Sequence, residues 1–135
     1  MKQIKINKAY GAFIKLLELK FPIKISREIY KQTNILKEQY EFYVREQDKI
    51  IQSFRGTIDA NGSINFDGDD SRERSRKCLD ELTQLNESEV EIEIKPILIT
   101  ETDFGDQVIS PADFGYLDDF IVFEWEGLRT VENKL

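Results

Sequence analysis

Apolar residues recur at helical spacing through the first third of the chain. Tyr10, Phe13, Ile14 and Leu17 stand at i, i+3, i+4 and i+7, which predicts an amphipathic helix. Asn7 can serve as its N-cap. The helix should end near Lys20, because Pro22 disfavours helical geometry at the preceding residue. Ahead of it, Lys2 to Ile6 reads as a short strand with Ile4 and Ile6 on one side. Ser26 then opens a longer helix, with Ile25 and Tyr30 placed as a hydrophobic staple. Ile29, Leu36, Tyr43 and Ile50 recur every seven residues, and Thr33, Tyr40, Gln47 and Phe54 interleave them, a seam of about four heptads. Val44 and Ile51 widen that stripe. A broad stripe is the pattern of a helix packed on its own protein, and the alternative is a homodimer through the seam.

Gly56 should close the long helix. Thr57 to Phe66 reads as a β-hairpin, with Ile58 facing Ile64 and Phe66 across an Asn61-Gly62 turn. Asp70 and Glu73 have the spacing of a capping box for a third helix, whose stripe is Cys78, Leu79, Leu82 and Leu85. Further on, Val90, Ile92 and Ile94 alternate with Glu89, Glu91 and Glu93, a half-buried strand that Ile97-Leu98-Ile99 continues past Pro96. Ser110-Pro111-Ala112-Asp113 starts a short helix that buries Phe114 and Leu117. Phe120 to Glu126 forms a last strand that Gly127 stops. The fold class is therefore α+β: a long amphipathic helix and an antiparallel helical partner joined by a β-hairpin, packed with a small antiparallel sheet. At 135 residues this reads as a single domain, 1–135.

Composition narrows the setting. With 40% hydrophobic residues, nine Phe and five Tyr, the chain holds enough apolar material for a core. No apolar run approaches the ~20 residues of a membrane span, and no signal core follows the N-terminus. A lone Cys78 cannot form an internal disulfide and points to the cytoplasm, which the resemblance given below makes that of a bacterial host cell. The net charge of −7 divides unevenly: residues 1–55 hold twelve Lys/Arg and six Asp/Glu, whereas residues 56–135 hold seven and twenty. The simplest outcome is that the two halves fold against each other and partly neutralise. An acidic protein is poorly suited to direct nucleic-acid binding, which needs a basic surface.

The chain has no histidine, so triads and imidazole metal sites are excluded. A single cysteine likewise excludes thiolate zinc sites and redox pairs. Neither GxxxxGK[ST] nor GxGxxG is present. Asp59, Asn61 and Gly62 align with the third, fifth and sixth positions of a calcium-binding EF-hand loop. Thr57 and Gly68 then fall where its leading aspartate and bidentate glutamate belong, so the segment reads as a tight turn. The expectation is no catalytic residue, no metal and no cofactor. Two acidic runs, Asp67, Asp69 and Asp70 and then Asp118 and Asp119, together with Phe123, Glu124, Trp125 and Glu126, are the candidate protein-binding residues. Closely spaced carboxylates can imitate a phosphate track and occupy a basic groove. Arg72, Arg74, Arg76 and Lys77 form the one compact basic patch, read as an exposed helix face.

The order of these features resembles an uncharacterised family of short proteins encoded by tailed bacteriophages and prophages. The resemblance is carried by Leu16-Leu17 and Phe21-Pro22-Ile23-Lys24, by the Asp59 to Ile64 turn and by Glu89 to Ile97. Ile109 to Asp113 and Leu117 to Phe123 complete it. It brings no catalytic residue with it and implies a phage accessory protein. The expected function is non-enzymatic, stoichiometric binding of a bacterial or phage protein, such as an inhibited defence or regulatory protein. The alternatives are a virion-assembly factor or minor structural protein, and a metal-dependent nucleotide or nucleic-acid enzyme built on the acidic residues.

Overall fold

Small and polar residues share the buried face of the first helix with large apolar ones. The computed structural model describes residues 1–125. Helix α1 spans Gln3–Leu16 and buries Gln3, Ile6, Ala9, Ala12, Phe13 and Leu16. The segment predicted as a strand at Lys2–Ile6 is thus helical from Gln3 onward, and Asn7 lies within α1, where its side chain accepts a hydrogen bond from Gln3 Nε2 at 2.9 Å. Gln3, Ala9 and Ala12 occupy three of the six buried positions, so a reading by hydrophobicity placed the stripe one position too far round. Ile14 and Leu17 are accordingly exposed. The two alanines bring the backbone of α1 close to its neighbour.

Helix α2 spans Ile23–Ser53, 31 residues against the 14 of α1. At 1.5 Å per residue α2 is about 46 Å long and α1 about 21 Å, so α2 projects well beyond it. Ile25, Ile29, Gln32, Thr33 and Leu36 are buried in the first half of α2, and beyond Leu36 only Ile51 is. The rings of Tyr10 and Tyr40 stack 4.9 Å apart between the two helices. Pro22 takes the N-cap position that the sequence suggested for Ser26. Tyr30 is 60% exposed and forms no staple.

The projecting half of α2 meets helix α3, Ser71–Glu87, and a hairpin of β1, Thr57–Ile58, and β2, Ile64–Asn65, paired antiparallel. Ile51, Cys78 and Leu82 form a small second core with Ile50, Phe54, Ile64 and Phe66 around it. The antiparallel arm with a β tip is therefore present. Its chain reversal differs from expectation. Arg55, at φ 57°, takes the left-handed position after α2. Its N–H donates to Gln52 O, and the Gly56 N–H donates to Ile51 O, both at 2.9 Å. This is the paired-bond arrangement of a Schellman cap. Gly56 is needed for closeness instead: a Cβ there would lie 3.0 Å from both Ile51 Cγ2 and Phe66 Cε1.

After α3 the chain is extended from Glu89 to Pro96. Val90, Ile92 and Ile94 are half-buried against the main core and the alternating glutamates are exposed. The predicted strand does not form there: among the described residues the segment's β-pairing is a single isolated bridge of Lys2 with Glu89. Strand β3 is Ile97–Thr100, helix α4 Glu101–Phe104, helix α5 Pro111–Tyr116 and strand β4 Ile121–Glu124. β3 and β4 run parallel, with Ile97 opposite Ile121 and Thr100 opposite Glu124. The expected antiparallel sheet is corrected by the connection: α4 and α5 carry the chain back to the starting end, and such a crossover is what parallel strands require. Ile97, Ile99 and Ile121 face inward, while Leu98 and Val122, in register, are about half exposed on the outside. Phe13 meets Phe120 edge-on at 5.6 Å, tying α1 to the end of the crossover.

The charge asymmetry resolves as internal pairing. Lys2 pairs with Glu87, Lys5 with Asp119, Lys15 with Asp113 and Arg55 with Asp70, each pair joining the basic half to the acidic half.

Candidate functional site

The two acidic runs lie on different parts of the molecule. Asp67, Asp69 and Asp70 belong to the end of the arm, where β2 leads into α3. Asp70 takes the N-cap position of α3 without a side-chain cap bond, so the predicted capping box with Glu73 is absent. Its carboxylate instead accepts from Arg74 Nε at 3.0 Å and from an Arg55 terminal nitrogen at 3.1 Å. The Arg74 bond, foremost, holds the Asp70 carboxyl below its ordinary range. Arg74 also donates to Phe54 O at 2.8 Å and to Asp67 O. One guanidinium fork thereby joins the end of α2, the hairpin and α3, geometry that a lysine ammonium cannot reproduce. Asp69 remains on the surface beside Arg72 and Arg76.

The second group lies on the body. Asp119 is engaged by Lys5 of α1, and Asp118 is exposed beside it. Phe123 stacks on Phe114 at 4.6 Å, and Trp125 lies 5.1 Å from Phe104 and 5.6 Å from Phe123. These rings are half-buried and pack on the main core. The aromatic pair expected at a partner contact thus also packs within the fold, and Glu124 is exposed on β4 along with Val122. Glu126 lies outside the described residues.

Other groups with chemical capacity are likewise engaged. The Asp59 carboxylate accepts from the backbone N–H of Asn61 and Ser63 and from Asn65 Nδ2, at 2.9 to 3.1 Å. Those bonds, that from Asn65 first, lower its pKa, and they make the segment a self-capped turn. Asp113 is buried, bonded to Lys15 Nζ and Ser110 Oγ at 2.8 Å each. Cys78 is fully buried, and burial pushes its thiol pKa up, away from the thiolate a nucleophile needs. Among the described residues, no group of three or more Asp, Glu or Cys converges as metal ligands.

Sequence reasoning missed Lys2, Lys5, Lys8 and Tyr116, which meet along a groove on the outer side of α1. The lysines recur at i, i+3 and i+6, one face of a helix. A strand over Lys2 to Ile6, as the sequence suggests, hides that spacing.

No protein-family model, curated protein or solved structure matches the chain. The fold and the engaged groups define a small α+β protein with a projecting helical arm. None of its described helices is long and apolar enough to cross a membrane.

Proposed function

We propose that the chain is a non-enzymatic accessory protein of phage or prophage origin that acts by stoichiometric binding of another protein. A bacterial defence or regulatory protein is the proposed class of partner. One observation carries this most directly: several residues with chemical capacity are engaged in contacts within the chain itself. Asp59 closes a turn, Asp70 holds Arg74, Asp113 holds Lys15, and Cys78 fills the arm's core. The surface, by contrast, carries apolar side chains on several elements. Tyr30, Leu79, Leu98 and Val122 are 48 to 60% exposed.

Affinity capture from a bacterial host, followed by calorimetry with the purified partner, tests the proposal. A saturable complex of fixed stoichiometry is the expected result. Turnover of any substrate, abolished by altering one or two carboxylates, overturns it. The place of the acidic runs is tested in the same complex: charge reversal at Asp67, Asp69, Asp118 and Asp119 weakens capture if the carboxylates imitate phosphates.

A further inference from the structure

A groove of about 790 Å³ runs between the outer side of α1 and the extended segment before β3. Lys2, Lys5 and Lys8 line one wall, and Ile4, Ile94 and Tyr116 supply apolar surface. Among the described residues Asp119 is the only carboxylate of the lining, so three ammonium groups face one acid there in a chain of net charge −7. Among the described residues no carboxylate pairs with Lys8; its Nζ lies 5.7 Å from the centre of the Tyr116 ring. Lys2 and Lys5 are paired with Glu87 and Asp119, but all four side chains are 40 to 57% exposed. Exposed pairs of this kind are worth ~1 kcal/mol or less, so an incoming carboxylate can take over either lysine at small cost.

We propose that this groove seats a short segment of the protein partner in which acidic and apolar residues are mixed. The proposal rests on the protein-binding function above and names the chemistry of the partner. Ammonium groups spaced along an apolar floor complement carboxylates that alternate with aliphatic side chains. A continuous phosphate backbone fits less well. Glu89, Glu91 and Glu93 are exposed on the segment that leads into the groove wall, and they repel a polyanion that extends past the lysines.

The test uses a short fluorescein-labelled peptide of glutamate, leucine and glycine, titrated with the whole chain in fluorescence anisotropy. The wild type and Lys8→Arg should bind it alike, and Lys8→Glu should bind about tenfold more weakly. A matched peptide with lysine for glutamate should not bind. Unchanged melting temperature in each variant excludes misfolding as the cause. Equal binding by wild type and Lys8→Glu, no binding by either, or tighter binding of a single-stranded oligonucleotide overturns the proposal. A captured partner that holds wild type and Lys8→Glu equally also overturns the groove, while leaving the protein-binding function standing. Discovery of substrate turnover has the opposite signature: it removes the proposed function, and the peptide titration still reports on the groove.

Discussion

Lys15 Nζ of α1 lies 2.8 Å from Oδ2 of Asp113, across 98 residues of sequence. The two partners are unequal: the lysine side chain is 65% exposed and the aspartate side chain 8%. Asp113→Ala removes a buried, charge-assisted acceptor together with its bond to Ser110, and should cost about 2 kcal/mol in urea unfolding. Lys15→Ala leaves the Asp113 carboxylate with its bond from Ser110 Oγ, and should cost about 1 kcal/mol or less. Equal losses would mean that the pair, not the cap, dominates.

The same pair sets an acid dependence. The Lys15 bond, above all, holds the Asp113 carboxyl below its ordinary range. A depressed carboxyl contributes stability that is complete above its unfolded pKa of ~3.9 and fades as pH falls through the folded value. Stability should therefore decline below about pH 4, with a shallower decline in Asp113→Asn. Parallel curves for the two proteins would assign the acid loss to other carboxylates.

Successive residues at the end of α2 should respond oppositely. Arg55→Gly relieves a left-handed backbone and gives up only an exposed pair with Asp70, so it should stabilise by about 0.5–1 kcal/mol. Gly56→Ala forces a Cβ to 3.0 Å from Ile51 and Phe66 and should destabilise by about 1–3 kcal/mol. Thermal melts of both variants decide it.

Arg74→Lys should loosen the arm while sparing the body. It breaks the fork to Phe54 O, Asp67 O and Asp70, and the arm's own core contains just three buried side chains. Hydrogen exchange should speed up in β1, β2 and the first turns of α3, with the amides of α1 unchanged. Uniform acceleration would mean that arm and body unfold as one unit.

Cys78 gives a chemical readout of the same event. Its thiol is fully buried and its pKa is raised by burial. A disulfide reagent should therefore label it only when the arm opens, and faster in Arg74→Lys than in wild type. Rapid labelling of the native wild type would contradict that burial.

The sequence was readable where large apolar residues carry the packing, and misleading where they do not. The seven-residue recurrence of Ile29 and Leu36 found α2, and Ser110-Pro111 placed the start of α5. At α1, Gln3, Ala9 and Ala12 occupy buried positions without an apolar signature, so the helix start was lost and the lysine groove with it. Strand direction is fixed by the α4–α5 crossover, and α4 begins at a Thr100–Asp103 capping box that was not recognised. The candidate site was less legible. Phe123 and Trp125 have the composition of a binding surface, but their ring contacts run inward, and ring contacts between distant residues leave no periodic trace.

The contact of Phe13 with Phe120 also has a cost during synthesis. On a ribosome, α1 emerges about 107 residues before the ring that covers it. At translation rates of ~5–20 residues per second, its apolar side waits roughly 5–20 s for α5 and β4. The long helix can shelter part of that surface earlier, but the body closes only when the last strand arrives. Nascent chains halted before residue 120 should therefore recruit chaperones, and chains released past residue 125 should not.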